Sequence, residues 1–153
     1  MRKASLAAMA VAIVGVLSAV PAAAQPGSPN LTPGTVTRVT LVRIVPGRGD
    51  QFYQDIRQNL RPVWEEQKRR GIITDYSFAT KVTTDDPEDW NVVITVSYRN
   101  WAGLDNIGPR NDSVTLAHYG TAAARTAANT ARIQHGTIVA SFLVRNQTVN
   151  PWR

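Results

Sequence analysis

Hydrophobic residues between positions 36 and 71 change from a strand-like to a helical spacing. Residues 36–45 are rich in Val, Thr and Ile and predict a strand that ends in the turn 46–49. Asp50 is a suitable N-cap for the helix that follows, and Gly71 ends the pattern. Pro62 predicts a kink in this helix or a split into two pieces, because proline lacks an N–H. The side chains at helical spacing and their two aromatic neighbours are Phe52, Ile56, Leu60, Val63, Gln67, Tyr53 and Trp64.

Two strands and a polar turn are predicted in the middle of the chain. Residues 72–82 predict the second strand, with Tyr76, Phe78 and Val82 on one face. An acidic turn follows at 83–88, and residues 91–98 predict the third strand. The apolar residues that recur at every second position of the third strand are Val92, Ile94, Val96 and Tyr98.

The last third of the chain predicts two helices and a strand. A short helix around residues 101–107 ends at Gly108-Pro109, and a longer alanine-rich helix runs from about Ser113 to Gln134. Gly136 ends that helix, and residues 137–145 predict the last strand. The order β-α-β-β-α-β is the ferredoxin-like arrangement of an α+β protein, in which four antiparallel strands carry both helices on one face. The predicted domain covers residues 36–146, between a flexible leader at 25–35 and a C-terminal tail at 147–153.

The sheet face opposite the helices predicts a homodimer. A sheet face left in water should be polar, but neither register of the first and last strands is polar. Since two helices cover only one face, we expect a second copy of the chain to cover the other. In the first strand, one face carries Val39, Leu41 and Val45 and the other carries Val42 and Ile44. In the last strand, one face carries Val139 and Leu143 and the other carries Ile138, Phe142 and Val144.

The N-terminal residues 1–24 predict a cleaved signal peptide. Arg2 and Lys3 give a positive start, residues 6–20 are apolar, and Ala22 and Ala24 fit the small-residue positions before a cut at Gln25. The apolar run is shorter than the roughly 20 residues that span a bilayer as a helix. We therefore expect a periplasmic or secreted protein with no membrane anchor.

The charge distribution and the cysteine content exclude further classes of partner and of chemistry. Loss of Arg2 and Lys3 with the signal peptide lowers the 17 basic residues to 15, against 11 acidic ones. The basic residues are scattered, without a stripe interleaved with aromatics, so nucleic-acid binding is not expected. The chain has no cysteine, which excludes disulfides, thiolate chemistry and lipoprotein anchoring.

The chain resembles the dimeric α/β-barrel superfamily. The resemblance lies in the first strand with the segment Pro46-Gly47-Arg48-Gly49-Asp50-Gln51-Phe52, the long helix with Pro62, the terminal Gly71-Ile72, and the hairpin strands that follow. It covers residues 36–145 and implies the fold and the dimer. Members of the superfamily include cofactor-independent monooxygenases, haem-degrading enzymes, muconolactone isomerases and exported domains of no known role. No residue pattern here is specific to one of these, so the resemblance assigns no catalytic residue.

A few residue types could carry chemistry. His118 is the best single candidate for a catalytic residue, because histidine is the ordinary acid–base side chain near neutral pH. Arg43 is unusual because its neighbours on the same strand face, Leu41 and Val45, are apolar. In barrels of this type the cleft lies between sheet and helices, where aromatic side chains either line a ligand site or pack the core. The candidate ligand-binding residues are Arg43, Trp64, Tyr76, Tyr98, Trp101 and His118.

No metal site or cofactor is predicted. The acidic turn with Asp85, Asp86, Glu88 and Asp89 lacks the glycine and spacing of a calcium loop. His118 and His135 would be about 25 Å apart on one continuous helix, so they cannot share a metal.

Two functions from different classes fit these observations. The first is a small exported dimer of uncharacterised role that binds an apolar or aromatic small molecule. The alternative is a cofactor-independent monooxygenase or isomerase that acts on an aromatic or polyketide-like compound, with His118 as base or electrostatic stabiliser. Haem binding is a weaker variant that needs a ligand such as His118 in an apolar cleft.

Overall fold

Four strands form one antiparallel sheet in the computed structural model, which describes residues 29–83, 86 and 89–152. The predicted signal peptide and the cut at Gln25 lie outside the described residues. In the order β2-β3-β1-β4, the two strands at the ends of the chain, β1 and β4, are neighbours. The strands are β1 Leu31–Ile44, β2 Asp75–Thr80, β3 Val92–Tyr98 and β4 Gly136–Val149.

Helical segments connect β1 to β2 and β3 to β4, which gives the predicted α+β, ferredoxin-like fold. The first connection is a continuous helix in three parts, and the second contains two α-helices instead of the one long helix expected. The parts are α1 Gly49–Asp55, a π-helical turn Ile56–Leu60, α2 Arg61–Arg69, a 3-10 turn Trp101–Leu104, α3 Ile107–Tyr119 and α4 Ala122–His135.

Pro62 widens the first helix instead of breaking it. The residues at the junctions of the three parts, Ile56, Leu60 and Arg61, all keep right-handed helical φ and ψ. The N–H of Arg61 donates to the carbonyl of Ile56, five residues earlier, as in a π-helix. A proline clashes with the carbonyl four residues before it and has no N–H to donate, and the wider turn accommodates both effects.

The predicted boundary at Gly108-Pro109 is wrong. Both residues lie in the first turn of α3, where a proline costs little because the N–H groups there have no helical acceptor. The interruption comes at Gly120, whose φ is 77°. The hydroxyl of Thr121 then caps α4 by accepting the N–H of Ala124 at 3.0 Å. His118 and His135 therefore lie on different helices, and the separation expected for one continuous helix does not apply.

Three strands differ from their predicted extents by more than one residue. β1 and β4 extend into the predicted leader and tail, and Leu31 pairs with Val149. β2 is shorter than predicted because residues 72–73 complete the end of α2: Gly71 is left-handed (φ 66°), and the Ile72 N–H donates to the carbonyl of Gln67 at 2.9 Å. Val82 lies beyond β2 and is 96% exposed.

The hydrophobic core lies between the helices and one face of the sheet, as predicted. Phe52, Val63 and Val92 are buried, and Ile56 and Leu60 pack against them. Strand pairing fixes the two faces, because paired residues point to the same side. Val42 pairs with Val92 and Ile138 and therefore lies on the face that the helices cover, the helix face. Leu143 lies on the same face, because it pairs with Arg38, which is four residues before Val42 on β1.

The opposite side, called here the outer face, carries a cluster of apolar side chains. Val39 pairs with Phe142, and Leu41 pairs with Val93 and Ala140. Phe142 and Val144 are 46% and 37% exposed. The predicted apolar outer face therefore exists, although Val42, Ile44 and Leu143 do not contribute to it.

Candidate functional site

A cavity of about 210 Å³ lies between the helix face of the sheet and the helices. We call it the inner cavity. Its walls come from three strands, the first helix with its π-turn, and α4. The lining residues are Thr40, Val42, Phe52, Ile56, Leu60, Trp64, Ile94, Val96, Arg132, Ile133, Gly136 and Ile138.

The inner cavity has a buried floor and an open side. Val42, Phe52 and Ile94 are at least nine-tenths buried, whereas Ile133 and Ile138 are 71% and 63% exposed. Ile138 belongs to β4, which is an edge strand of the sheet. The opening therefore lies between α4 and β4, and Ile133 and Ile138 form its rim.

The π-turn helps to shape this cavity. Ile56 and Leu60, its first and last residues, both line the cavity. Between them, Asn59 directs its side chain to Asp55 and His118. π-Turns are rare and occur often at functional sites, and this one brings apolar lining residues and a polar network together within six residues.

Gly136 lets Phe52 pack at the end of the cavity where β4 begins. A Cβ atom on Gly136 would lie 2.8 Å from Cε2 of Phe52 and 3.0 Å from Cγ1 of Val42. These distances are shorter than normal van der Waals contacts, and both neighbours are buried. Only glycine fits between them without displacing the core.

Three lining residues carry polar side-chain groups: Thr40, Arg132 and, through its indole N–H, Trp64. Thr40 Oγ1 lies 3.3 Å from Ser141 Oγ across the β1–β4 pair. Arg132 Nε donates to Asp55 Oδ2 at 2.5 Å, and Nη2 donates to Tyr119 Oη at 3.2 Å. The side chains of Arg132 and Asp55 are only 21% and 14% exposed, so this ion pair lies largely out of water beside an apolar surface.

The pair belongs to a network that joins the first helix to α3 and α4. Burial lowers the pKa of Arg132, but the hydrogen bonds to Asp55 and Tyr119 offset this effect, and the pKa stays above its ordinary value. Asn59 Nδ2 donates to Asp55 Oδ1 at 2.7 Å, and Asn59 Oδ1 lies 3.3 Å from Nε2 of His118. Arg132 is therefore held in place as a permanent cation.

Of the predicted ligand-binding residues, only Trp64 lines the inner cavity. Tyr76 stacks against Trp64 with ring centroids 5.1 Å apart. Its hydroxyl donates to Glu65 at 2.5 Å, and this hydrogen bond raises the pKa of Tyr76. Tyr98 is buried in the core but does not line the cavity. Tyr76 and Tyr98 therefore pack in or against the hydrophobic core and do not line the cavity.

The other three predicted residues lie elsewhere. Trp101 is 49% exposed on the 3-10 turn. Arg43 pairs with Thr137 and shares the outer face with Leu41. His118 is exposed on α3 in a shallow groove beside Pro62, Val63 and Glu66, with its ring edge-on to Tyr119 at 4.7 Å. The structure thus does not bring Arg43, Trp101 and His118 together.

The second histidine, His135, is partly buried at the end of α4. Its carbonyl accepts the N–H of Val45 at 3.0 Å, and its buried Nδ1 has no hydrogen-bond partner among the described residues. It does not line the inner cavity.

No group of three His, Asp or Glu side chains within residues 29–83, 86 and 89–152 could hold a metal ion. Of the acidic turn, Asp85 and Glu88 lie outside the described residues, and Asp89 forms an ion pair with Lys81. No helix in the described ranges has both the length and the hydropathy to cross a membrane.

The sequence pattern does not predict the polar edge of the site, Arg132 with Asp55. Arg132 looks like an ordinary cation near a helix C-terminus, and its partner Asp55 lies 77 positions away. Ile133 was the available signal, since it is the one large aliphatic residue in an otherwise small and polar helix segment, 121–135.

No family model and no curated protein matches this sequence. Among solved structures, it is similar to a dimeric ferredoxin-like protein from an uncultured marine organism, with 14% identity over 80% of this chain and 99% of the other, and a TM-score of 0.42. A second dimeric ferredoxin-like protein of the same origin has 5% identity over 80% and 93%, with a TM-score of 0.47. A candidate chlorite dismutase has 13% identity over 73% of this chain and 43% of the other, with a TM-score of 0.41. Because these identities are low, the function has to be argued from the side chains of this chain itself.

Proposed function

We propose that this protein is a small exported ferredoxin-like dimer that binds an apolar or aromatic small molecule in the inner cavity. The observation that carries the proposal is the lining: Arg132, Thr40 and the indole N–H of Trp64 provide its polar side-chain groups, and the rest of the lining is apolar or glycine. Ligand sites in proteins are concave and mostly apolar, with a few placed polar groups. Trp64 and Phe52 add flat aromatic surface against which a ring can pack.

The volume of the cavity limits the ligand to about one ring. An engineered apolar cavity of roughly 150 Å³ in another protein binds benzene, and the inner cavity has about 210 Å³. A monocyclic compound with a short substituent fits this space, whereas a polyketide-like compound or haem is several times larger.

The enzymatic alternative gains no support from the lining. In either role given to it, as base or as electrostatic stabiliser, His118 would have to lie beside the reacting ring, but it lies on α3 outside the cavity lining. Binding without chemistry is therefore the function we propose.

Dimerisation is proposed from the outer face. Phe142 and Val144 are each more than a third exposed on β4, next to the half-buried Val39 and Leu41 of β1. Trp152 of the tail is 97% exposed and does not cover this surface. A symmetric second copy would remove the apolar patch from water without further sequence, and would leave the opening between α4 and β4 in each subunit.

Export is proposed from the pattern of residues 1–24 alone. Mass spectrometry of protein recovered from the periplasm or medium should give a mature N-terminus at Gln25. Exported material that retains Met1 would contradict cleavage at this site.

Isothermal titration with ethylbenzene tests the binding proposal. We expect saturable binding with a Kd that is roughly micromolar to millimolar, as befits a ligand of a few heavy atoms. Ile133→Trp should abolish or strongly weaken binding, because the larger side chain closes the rim of the opening. Thr130→Trp is the matched control, since Thr130 is exposed on the same helix but does not line the cavity. Equal binding by both variants would place the ligand elsewhere, and no binding to the unmodified protein would refute the proposal.

A further inference from the structure

We infer that the ligand is an uncharged ring compound with one oxygen acceptor, such as an aryl ketone or aldehyde, and that Arg132 donates a hydrogen bond to that oxygen. This inference rests on the proposed function and adds the chemical class of the ligand. It follows from the hydrogen bonds of Arg132 and from the charge of its partner.

Arg132 has one N–H left to offer. A guanidinium carries five N–H groups and accepts nothing. Nε donates to Asp55, and Nη2 donates to Asp55 at 3.4 Å and to Tyr119 at 3.2 Å. One N–H of Nη1 donates to Asn129 at 2.8 Å. The second N–H of Nη1 has no acceptor among the described residues, although the side chain lines the cavity.

The ion pair selects the charge of the ligand. Asp55 neutralises Arg132 through a close contact that is largely shielded from water. A carboxylate ligand would gain the attraction of Arg132 but would also face the repulsion of Asp55 and lose its own hydration. A neutral carbonyl oxygen accepts the remaining N–H without either cost.

The rest of the lining offers no competing polar group of the same strength. Thr40 and Trp64 carry the other polar side-chain groups, and both are uncharged: the Thr40 hydroxyl lies near Ser141, and the Trp64 indole N–H is a neutral donor. An oxygen on the ligand therefore fixes the orientation of the ring, with the oxygen toward α4 and the ring toward Trp64 and Phe52.

Calorimetric titration with three ligands of similar size separates these effects: acetophenone, ethylbenzene and benzoate. For the unmodified protein at pH 7 we expect acetophenone to bind about tenfold more tightly than ethylbenzene, the value of one hydrogen bond to a charged donor. Benzoate should bind more weakly than ethylbenzene. Equal affinity for acetophenone and ethylbenzene, or a preference for benzoate, would overturn the inference. Failure of all three to bind would instead refute the proposed function.

Two variants assign the preference to the ion pair. In Arg132→Lys the acetophenone-to-ethylbenzene affinity ratio should fall to near 1, because an ammonium retains the ion pair but lacks the second N–H of Nη1. In Asp55→Asn the benzoate-to-ethylbenzene ratio should rise at least tenfold, because Arg132 is no longer neutralised. Arg125→Lys is the control: Arg125 also lies on α4, bonds to Asp112 and Thr115, and is not part of the lining. If the acetophenone-to-ethylbenzene affinity ratio is the same in Arg132→Lys as in the Arg125→Lys control, the assignment to Arg132 is overturned.

Discussion

The ion pair of Asp55 and Arg132 joins the first helix to α4 beside the inner cavity. Asp55→Ala should lower the free energy of unfolding by about 2–3 kcal/mol, because it leaves a largely buried guanidinium without its anion. Urea denaturation measures this change. Asp75→Ala is a matched control, since Asp75 pairs with Lys68 on the surface with 68% of its side chain exposed, and such pairs contribute less than about 1 kcal/mol. Equal losses in the two variants would contradict the structural role given to Asp55.

A second charged cluster, on α2, should give an acid-dependent stability. Hydrogen bonds from Arg69 and then Arg70 lower the pKa of the Glu66 carboxyl from its ordinary 4.5 to about 2. Because the folded state holds the lower pKa, the stabilisation is complete above the unfolded pKa and disappears as the pH falls toward 2. The difference in urea midpoint between the unmodified protein and Glu66→Gln should therefore be constant above about pH 5.5 and shrink between pH 4.5 and 2. A difference that does not change with pH would contradict this.

Individual site residues could be predicted only where local pattern decides their position. Trp64 lies beside an apolar helical stripe, and the sequence places it correctly against the sheet. Arg132 could not be predicted, because its burial depends on Asp55 and Tyr119, which come from other helices. The chemistry of histidine makes His118 a candidate, but nothing in the sequence indicates which way α3 turns its ring.

At the scale of elements, the approach of the first helix to β4 requires a glycine. Gly136→Ala should lower the free energy of unfolding by about 1–3 kcal/mol, because the new methyl group overlaps Phe52 and Val42. Gly49→Ala should change it by less than about 1 kcal/mol, since the nearest atom to its Cβ is Cε2 of Tyr53 at 3.9 Å. Thermal or urea denaturation of both variants checks the pair. A Gly136→Ala protein as stable as Gly49→Ala would mean that the core at the start of β4 is looser than described.

The elements themselves were largely predictable, and the errors have local causes. Alternation and helical spacing predict all four strands and the first helix, since burial on one face enforces those periods. The π-turn was not predicted, because Pro62 indicates where a helix is disturbed but not how the disturbance is resolved. The start of β1 is not predicted because Pro33 and Gly34 resemble a loop, whereas the structure accommodates them at a register shift between Pro33 and Val36. The end of β4 is not predicted because it pairs with that unpredicted start, Leu31 with Val149.

At the scale of the whole molecule, the two faces of the sheet have different roles in this account. The outer face should hold two copies together, so light scattering at micromolar concentration should give twice the mass of the chain. Phe142→Asp should give the monomer mass, because it places a charge in the apolar patch. Leu116→Asp, at a similarly exposed position on α3, should remain a dimer. A monodisperse monomer of the unmodified protein would refute the dimer, and a Phe142→Asp dimer would locate the interface elsewhere.

The most direct test of the central claim, that the inner cavity binds a small ring compound, is a methyl NMR titration with ethylbenzene. The Ile56, Ile94 and Ile138 methyl groups line the cavity and should shift in a saturable way with one common Kd. Ile72 and Ile107 do not line it, and their methyl signals should stay unchanged over the same titration. If the Ile56, Ile94 and Ile138 signals do not saturate, or if Ile72 and Ile107 shift as much, the inner cavity is not a binding site.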